Sequence, residues 1–135
     1  WKFGNDWVFD SRLSYTYQKA QDFTDKSDKD TYGGQISYIP WHSGSAILNA
    51  GYKSWELNYS FIYTGERYDV SANTPENYRL PWYTSDFSLA KKFSWRKYDF
   101  KLTLEVNNIF NQQYEVVRSY PMPGTNFKFI LNLTI

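Results

Sequence analysis

The residues with the most obvious capacity for chemistry are four carboxylates in one polar stretch. Asp22, Asp25, Asp28 and Asp30 lie within residues 21–30, a charged segment without hydrophobic periodicity. Carboxylate oxygens are the ligands that Ca²⁺ takes, but this spacing does not match the EF-hand loop, and the glycine that the EF-hand turn requires is missing. We therefore interpret the stretch as a long solvated loop and predict no metal site.

The residue types and their spacing do not indicate nucleophilic or acid–base catalysis. His42 is the single histidine, the chain has no cysteine, and neither a serine nucleophile nor a carboxylate cluster is paired with His42 in the sequence pattern. Catalysis needs a nucleophile with a base beside it, whereas a lone histidine is more often structural. We expect no catalytic residue, no cofactor and no enzyme activity.

The elements that carry these residues are rich in rings and poor in long apolar runs. The 135 residues include 13 Tyr, 10 Phe and 6 Trp, and the net charge is +1. No run approaches the roughly 18 apolar residues of a membrane-spanning helix, and a near-neutral charge gives no support for nucleic-acid binding. The length allows one ordinary domain at most. Because there is no initiator methionine or signal segment, we expect residue 1 to be internal to a longer protein.

Six segments alternate apolar and polar residues with a period of two, which predicts β-strands that each have one apolar face. In residues 55–64, for example, every second residue from Trp55 to Tyr63 is aromatic or leucine. The predicted strands are residues 7–18, 35–52, 55–64, 83–93, 98–108 with a continuation to 117, and 126–135. Pro40 interrupts the second strand, so we expect it at a bulge, at a rim or outside regular pairing. Gly4-Asn5-Asp6 predicts a turn after the tail of a preceding strand.

The connections between these strands alternate in length. Those near residues 20–34, 65–82 and 118–125 are long, whereas those near 53–54 and 94–97 are short. Bacterial outer-membrane barrels show this asymmetry, with tight periplasmic turns and long outer loops. Aromatic residues at the short-turn ends of the strands would then form the periplasmic-side girdle: Trp7, Tyr52, Trp55, Phe93, Trp95 and Tyr98.

The number of strands indicates a larger assembly. Closed membrane barrels start at about eight strands, and an open sheet in lipid would leave unpaired backbone amides at its edges. Six strands do not close in this way. If the strands cross a membrane, we expect the chain to be the C-terminal part of a larger barrel.

Short motifs in the second half of the chain resemble the end of the TonB-dependent outer-membrane receptors. The matching residues, in order and spacing, are Asn108, Ile109, Phe110, Asn111, Tyr114, Pro123 and Gly124. Upstream, the segments Tyr38-Ile39-Pro40-Trp41-His42 and Tyr63-Thr64-Gly65-Glu66-Arg67-Tyr68 are similar to two further family segments. The chain departs from the family where Thr125 replaces the usual arginine after the glycine, and where it ends in Ile135 rather than an aromatic residue.

The resemblance implies an all-β fold: an antiparallel meander of about six long strands, forming the C-terminal part of a barrel of roughly 22 strands. Residues 1–135 would be wall and rim loops, with the plug domain and the TonB box outside this sequence. The whole receptor would sit in the outer membrane of a Gram-negative bacterium. It would import a scarce, bulky ligand, such as a ferric siderophore, haem, cobalamin or glycan. Its partners would be outer-membrane lipid, the rest of the barrel and the plug, the assembly machinery through the C-terminal strand, and TonB through the absent N-terminal part.

Within this resemblance, ligand contacts would come from the outer loops, because loops carry function on a rigid scaffold. The candidate ligand-binding residues are Tyr68, Asp69, Tyr78, Arg79, Trp82 and Tyr120. We expect Arg67 to pair with a carboxylate on the polar strand faces, such as Glu105, rather than to contact ligand.

A soluble all-β module that stacks carbohydrate on exposed rings is the alternative interpretation. It requires a second sheet to cover one face of each strand. The uniformly hydrophilic polar faces do not favour such a sandwich core.

Overall fold

A computed structural model describes residues 2–3 and 6–135, with side chains described from residue 6 onward. The elements are β1 (Lys2–Phe3), β2 (Trp7–Tyr17), β3 (His42–Tyr52), β4 (Trp55–Thr64), β5 (Arg67–Tyr68), a 3-10 turn (Pro75–Asn77), β6 (Tyr78–Arg79), β7 (Trp82–Trp95), β8 (Tyr98–Asn107) and β9 (Asn126–Thr134). β1 pairs with β2, so the predicted tail of a preceding strand is confirmed. Of the predicted turn at Gly4-Asn5-Asp6, the first two residues lie outside the described residues.

The strands form one antiparallel sheet in the order β1-β2-β3-β4-β7-β8-β9, and β5 and β6 form a separate two-stranded ribbon. The six long strands of the large sheet, of 9 to 14 residues, confirm the predicted meander. The registers of the β3–β4 and β7–β8 hairpins follow from two-residue turns. Tyr52 faces Trp55 across the first turn and Trp95 faces Tyr98 across the second.

The register sorts the side chains into an apolar and a polar face. One row across the sheet runs through Leu48, Tyr59, Phe87 and Val106, because these residues are successive cross-strand partners. A one-residue step along each strand gives the polar row. Within residues 6–135, Ala90 is the one buried hydrophobic residue, at 1% exposure, and most rings on the apolar face are open to the surroundings. No helix in the described part of the chain is long and apolar enough to cross a membrane.

The rings predicted at the short-turn ends lie there, on the apolar face. Trp7 pairs with Tyr52, and their centroids are 4.4 Å apart. At the next hairpin, Phe93 stacks on its partner Phe100 at 5.1 Å. The two turns are tight because Lys53 and Arg96 each adopt a positive φ, of 53° and 57°.

The predicted start of the second strand at residue 35 is wrong. β3 begins at His42, and residues 36–41 form a turn and a bend, in which Tyr38 has a φ of 60°. Gln35 makes an isolated bridge with Gln21 instead of joining the sheet. Pro40 therefore lies outside regular strand pairing, which is one of the three positions expected for it.

The predicted continuation of the fifth strand to residue 117 is also wrong. β8 ends at Asn107 because Asn108 turns the chain with a φ of 50°. Other boundaries move by one or two residues: β7 begins at Trp82 and runs to Trp95, and β9 ends at Thr134.

Candidate functional site

Three long loops leave the same end of the sheet. The first loop is residues 18–41, the second is 65–81 and the third is 108–125. The second loop starts beside β3, where the Gly65 N–H donates to the His42 carbonyl at 2.8 Å. It then folds back on itself, since β5 pairs with β6. Asp69 lies just past β5, and its N–H donates to the Asn77 carbonyl at 3.0 Å.

Asp69 is the acidic centre of the loops. Its side chain is 1% exposed, and its Oδ2 accepts from Nε of Arg79 at 2.8 Å and from Nη2 of the same residue. Nη1 of Arg118, from the third loop, lies 3.5 Å from the same oxygen. A buried carboxylate that holds two arginines joins the second and third loops electrostatically.

Arg67 ties the second loop to the third through carbonyl groups. Its Nη2 donates to the Glu115 carbonyl at 2.8 Å and to the Val116 carbonyl at 3.3 Å. Burial, as the largest cause, lowers the pKa of Arg67 below its ordinary value. The expected pairing with Glu105 is wrong. Glu105 lies on the polar strand face, where its Oε2 is 3.8 Å from Nζ of its cross-strand partner Lys128.

The first loop is joined to the second by an amide pair. The Gln35 N–H donates to Oδ1 of Asn73 at 2.5 Å, and Nδ2 of Asn73 donates to the Gln35 carbonyl at 3.1 Å. The Tyr38 N–H also donates to the Tyr68 carbonyl at 2.8 Å. The three loops therefore form one connected layer over the end of the sheet.

A groove of about 460 Å³ opens between the second and third loops. Its lining residues are Tyr78, Arg79, Leu80, Pro81, Trp82, Gln112, Gln113, Tyr114, Glu115 and Pro121. The rings of Trp82 and Tyr114 stack with centroids 4.5 Å apart. Rings, amides and one guanidinium can together stack on and hydrogen-bond a planar or sugar-like group.

Both tyrosines of the groove are neutral hydrogen-bond groups at neutral pH. Burial raises the pKa of Tyr78, and the negative charge of Glu66 raises this pKa further. Burial raises the pKa of Tyr114 too, with the Asp86 carboxylate as the lesser cause. The groove therefore offers phenol hydroxyls that both donate and accept.

Five of the six residues predicted to bind ligand lie together at this groove. Tyr78, Arg79 and Trp82 line it, Asp69 holds Arg79, and Tyr68 makes an edge contact with Tyr78 at 5.7 Å. The sixth, Tyr120, is 71% exposed in the third loop and does not line the groove. Their role in binding stays a prediction.

Sequence reasoning missed the third-loop wall of the groove. The missed residues are Gln112, Gln113, Glu115 and Pro121, and Arg118 behind them. The signal was available in the motif itself, because two amides directly precede Tyr114 in a segment otherwise assigned to a strand. Side-chain amides pair with backbone and ligand groups more readily than with a sheet interior.

The predicted motif residues hold the third loop closed at its base. Asn108 is 4% exposed. Its Nδ2 donates to the Gln112 carbonyl at 2.9 Å and to the Pro123 carbonyl at 3.2 Å. Its Oδ1 accepts from the Gln112 N–H at 2.8 Å. Asn111 Oδ1 accepts from the Thr125 N–H, and a Cβ on Gly124 would overlap that same oxygen. Ile109 and Phe110 are exposed, with Phe110 beside Tyr83 on the apolar face.

The carboxylates of residues 21–30 bond to their own loop. Oδ1 of Asp22, Asp25 and Asp28 accepts from the N–H two residues on, at 2.8, 2.8 and 3.0 Å. The loop is exposed, as the solvated-loop interpretation states. Within the described ranges, no group of three or more histidine, aspartate or glutamate side chains is placed to hold a metal ion.

Comparison with known proteins gives one family. The family model described as "TonB dependent receptor-like, beta-barrel" matches residues 1–109, which include five of the six long strands and the first two loops. No curated protein matches the chain.

Proposed function

Because the chain belongs to the TonB-dependent receptor β-barrel family, we propose that it forms part of the wall and outer rim of an outer-membrane importer. The rest of the barrel, of roughly 22 strands in all, would complete the wall. The third-loop motif at Asn108 and Gly124 supports a C-terminal position in that barrel. The plug and the TonB-contacting segment would come from elsewhere in the receptor.

The single observation that carries this proposal is the bare apolar face of a one-layer sheet. Among residues 6–135, every long strand exposes rings or leucines, and the one buried hydrophobic residue, Ala90, is the cross-strand partner of Glu56 on the polar face. A protein in water would have to cover such a surface, whereas hydrocarbon satisfies it. The strand lengths of 9 to 14 residues suit tilted membrane strands, which need about 9–11 residues.

The open edges of the sheet support a larger barrel. β9 pairs only with β8 among the described strands, and β1 only with β2. Unpaired backbone groups cost several kcal/mol each in hydrocarbon. Further strands of the same receptor, continuing from both edges, would satisfy them.

Import of a scarce, bulky ligand is the function that we infer for the whole receptor. A ferric siderophore, haem, cobalamin or glycan would contact the outer loops, and the inner-membrane TonB complex would drive its passage. The groove beside the stacked rings of Trp82 and Tyr114 supports a ligand with a planar or sugar-like part, held by Arg79 and the two neighbouring glutamines. We propose no catalytic step and no cofactor.

The soluble carbohydrate-binding module is less well supported. That module needs two packed sheets, and the described residues form one layer with a small ribbon in the second loop. The polar face carries charged pairs such as Glu56 with Lys101, 2.7 Å apart, which suit a hydrated lumen better than a sandwich core.

Site-specific labelling of cells tests the proposed orientation. The chain has no cysteine, so single cysteines can be introduced into a cysteine-free form of the whole receptor. We expect Ser71→Cys, exposed in the second loop, to react with a membrane-impermeant maleimide on intact cells. Lys97→Cys, in a short turn, should react only after the outer membrane is permeabilised. Equal labelling of both, or the reverse pattern, would show that the proposal is wrong.

A further inference from the structure

Basic side chains lie on rings at the short-turn end of the apolar face. Nζ of Lys53 is 5.1 Å from the Tyr52 ring centroid and Nζ of Lys91 is 4.4 Å from that of Trp55. At the other hairpin, Arg96 lies over Trp95 and Lys97 over Tyr98, at 5.2 and 5.3 Å. We call Lys53, Lys91, Arg96 and Lys97 the basic rim. A fifth such pair, Lys19 over Trp41, lies in the first loop.

Lys91 is the informative member of the basic rim, because it interrupts an apolar strand face. It is the cross-strand partner of Trp55, at the row where β4 begins. Its Nζ donates to the Ser54 hydroxyl oxygen at 2.6 Å, so the chain extends toward the turn. A lysine is costly near the middle of a bilayer and tolerated at its interface. In the proposed membrane orientation, Lys91 therefore lies at the level of lipid headgroups.

The cations of the two faces differ in their counterions. On the polar face, Lys92 and Lys101 both pair with the Glu56 carboxylate. Within the described part of the chain, Lys91 has no carboxylate within 4.0 Å, and Lys53 reaches Asp6 only at 4.0 Å. Among the described residues, Lys92 and Lys101 have a close carboxylate, Lys53 has only a distant one and Lys91 has none.

We infer that Lys53, Ser54 and Lys91 bind the phosphate of an anionic phospholipid, whose acyl chains then cover the apolar face beside Tyr52 and Trp55. The ammonium groups donate to the phosphate oxygens, and the Ser54 hydroxyl, which accepts from Lys91, has its own hydrogen free to donate. Arg96 and Lys97 add positive potential at the neighbouring hairpin. A zwitterionic headgroup carries its own ammonium, which the basic rim repels. This inference rests on the membrane orientation of the proposed function.

Native mass spectrometry of the whole receptor tests the site. The receptor is purified in detergent, stripped of lipid and titrated with phosphatidylglycerol or, separately, phosphatidylcholine. We expect phosphatidylglycerol to bind about tenfold more tightly, and the double variant Lys53→Gln/Lys91→Gln to lose that preference. Lys92 is the next residue along the strand and lies on the opposite face. Lys92→Gln removes one positive charge outside the proposed site and should keep the preference. Lys53→Arg/Lys91→Arg should keep it as well, which separates lost charge from misfolding.

Equal binding of the two lipids by the wild-type receptor would overturn the inference. So would an equal loss of that preference in Lys92→Gln. The cysteine-labelling result separates the two proposals. A receptor that passes the labelling test but shows no lipid preference overturns the lipid site alone, whereas reversed labelling overturns the proposed function as well.

Discussion

Asp69 and Arg79 form an ion pair diagonally across the ribbon of the second loop, with Nε of the arginine 2.8 Å from Oδ2 of the aspartate. The carboxylate is almost fully buried, whereas the arginine side chain is 25% exposed at the groove. Arg118 approaches the same oxygen from the third loop. One carboxylate therefore fixes a groove residue and joins two loops.

Replacement of this carboxylate should loosen the loops. Asp69→Asn keeps the side-chain shape but leaves Arg79 and Arg118 without a counter charge, and we expect a local cost of about 2 kcal/mol. Amide hydrogen exchange in residues 67–79 and 114–118 of the whole receptor should accelerate by roughly 25-fold. Glu66→Gln, which removes an exposed carboxylate from the same loop, is the control. Unchanged protection in Asp69→Asn would contradict the prediction.

Asn108 should matter more to stability than its neighbour Asn107. Asn108→Ala removes three side-chain hydrogen bonds and puts alanine at a φ of 50°, so we expect a loss of about 3 kcal/mol. Asn107→Ala removes one bond, from its Nδ2 to Oδ1 of Asn126 at 3.0 Å. Guanidinium chloride unfolding followed by tryptophan fluorescence compares them. Equal midpoints for the two variants would show that the base of the third loop is not held by Asn108.

Gly65 and Gly51 form a matched pair for a steric prediction. A Cβ on Gly65 would lie 2.7 Å from the backbone oxygen of His42, while a Cβ on Gly51 would have no neighbour nearer than 3.8 Å. Backbone has little room to move, so we expect Gly65→Ala to cost about 1–3 kcal/mol. Gly51→Ala should be tolerated. The same denaturant titration measures both, and a tolerated Gly65→Ala would mean that the second loop can shift away from β3.

The turn at Asp25 should weaken in acid. Ser27 donates to Oδ1 through its hydroxyl at 2.7 Å and its N–H at 2.8 Å, and these bonds, the side-chain one first, lower the pKa of Asp25 below its ordinary value. Because the folded pKa is the lower one, the stabilisation is complete above the unfolded pKa of about 3.9 and is lost as the pH falls through the folded pKa.

Hydrogen exchange of the Ser27 amide, corrected for its intrinsic rate, measures this loss between pH 7 and about pH 2. Asp25→Asn accepts the same hydrogen bonds without titrating over this range, so its protection should not vary with pH. Wild-type protection that also stays constant would show that the carboxylate does not hold the turn.

The sheet could be predicted from the sequence because period-two alternation assigns each residue to a face without knowledge of the partner strand. Residues 55–64 show this best, since all ten lie in β4 with the rings on the predicted face. Two-residue turns then fix the registers of two hairpins, β3–β4 and β7–β8. The loops offer no such rule. Gln35 resembles a strand residue locally, but its partner is Asn73, 38 positions away.

The groove was only half predictable for the same reason. Tyr78, Arg79 and Trp82 could be named from their residue types and loop position. The partner of Arg67 could not, because two carbonyls about 48 residues away compete with every carboxylate in the chain, and only the folded third loop decides between them. Backbone acceptors carry no sequence signature.

The strand order of the sheet has a consequence for how the wall can grow. Each long strand pairs with the long strand next to it along the chain. An added hairpin therefore covers one old edge and exposes one new edge of similar length, so the number of unsatisfied backbone groups stays constant while ladder bonds accumulate. In hydrocarbon, the free-energy cost of the unpaired edge groups therefore does not increase as each hairpin is added. Contacts between sequence neighbours also keep loop-closure entropy small, which favours stepwise insertion of hairpins over simultaneous closure.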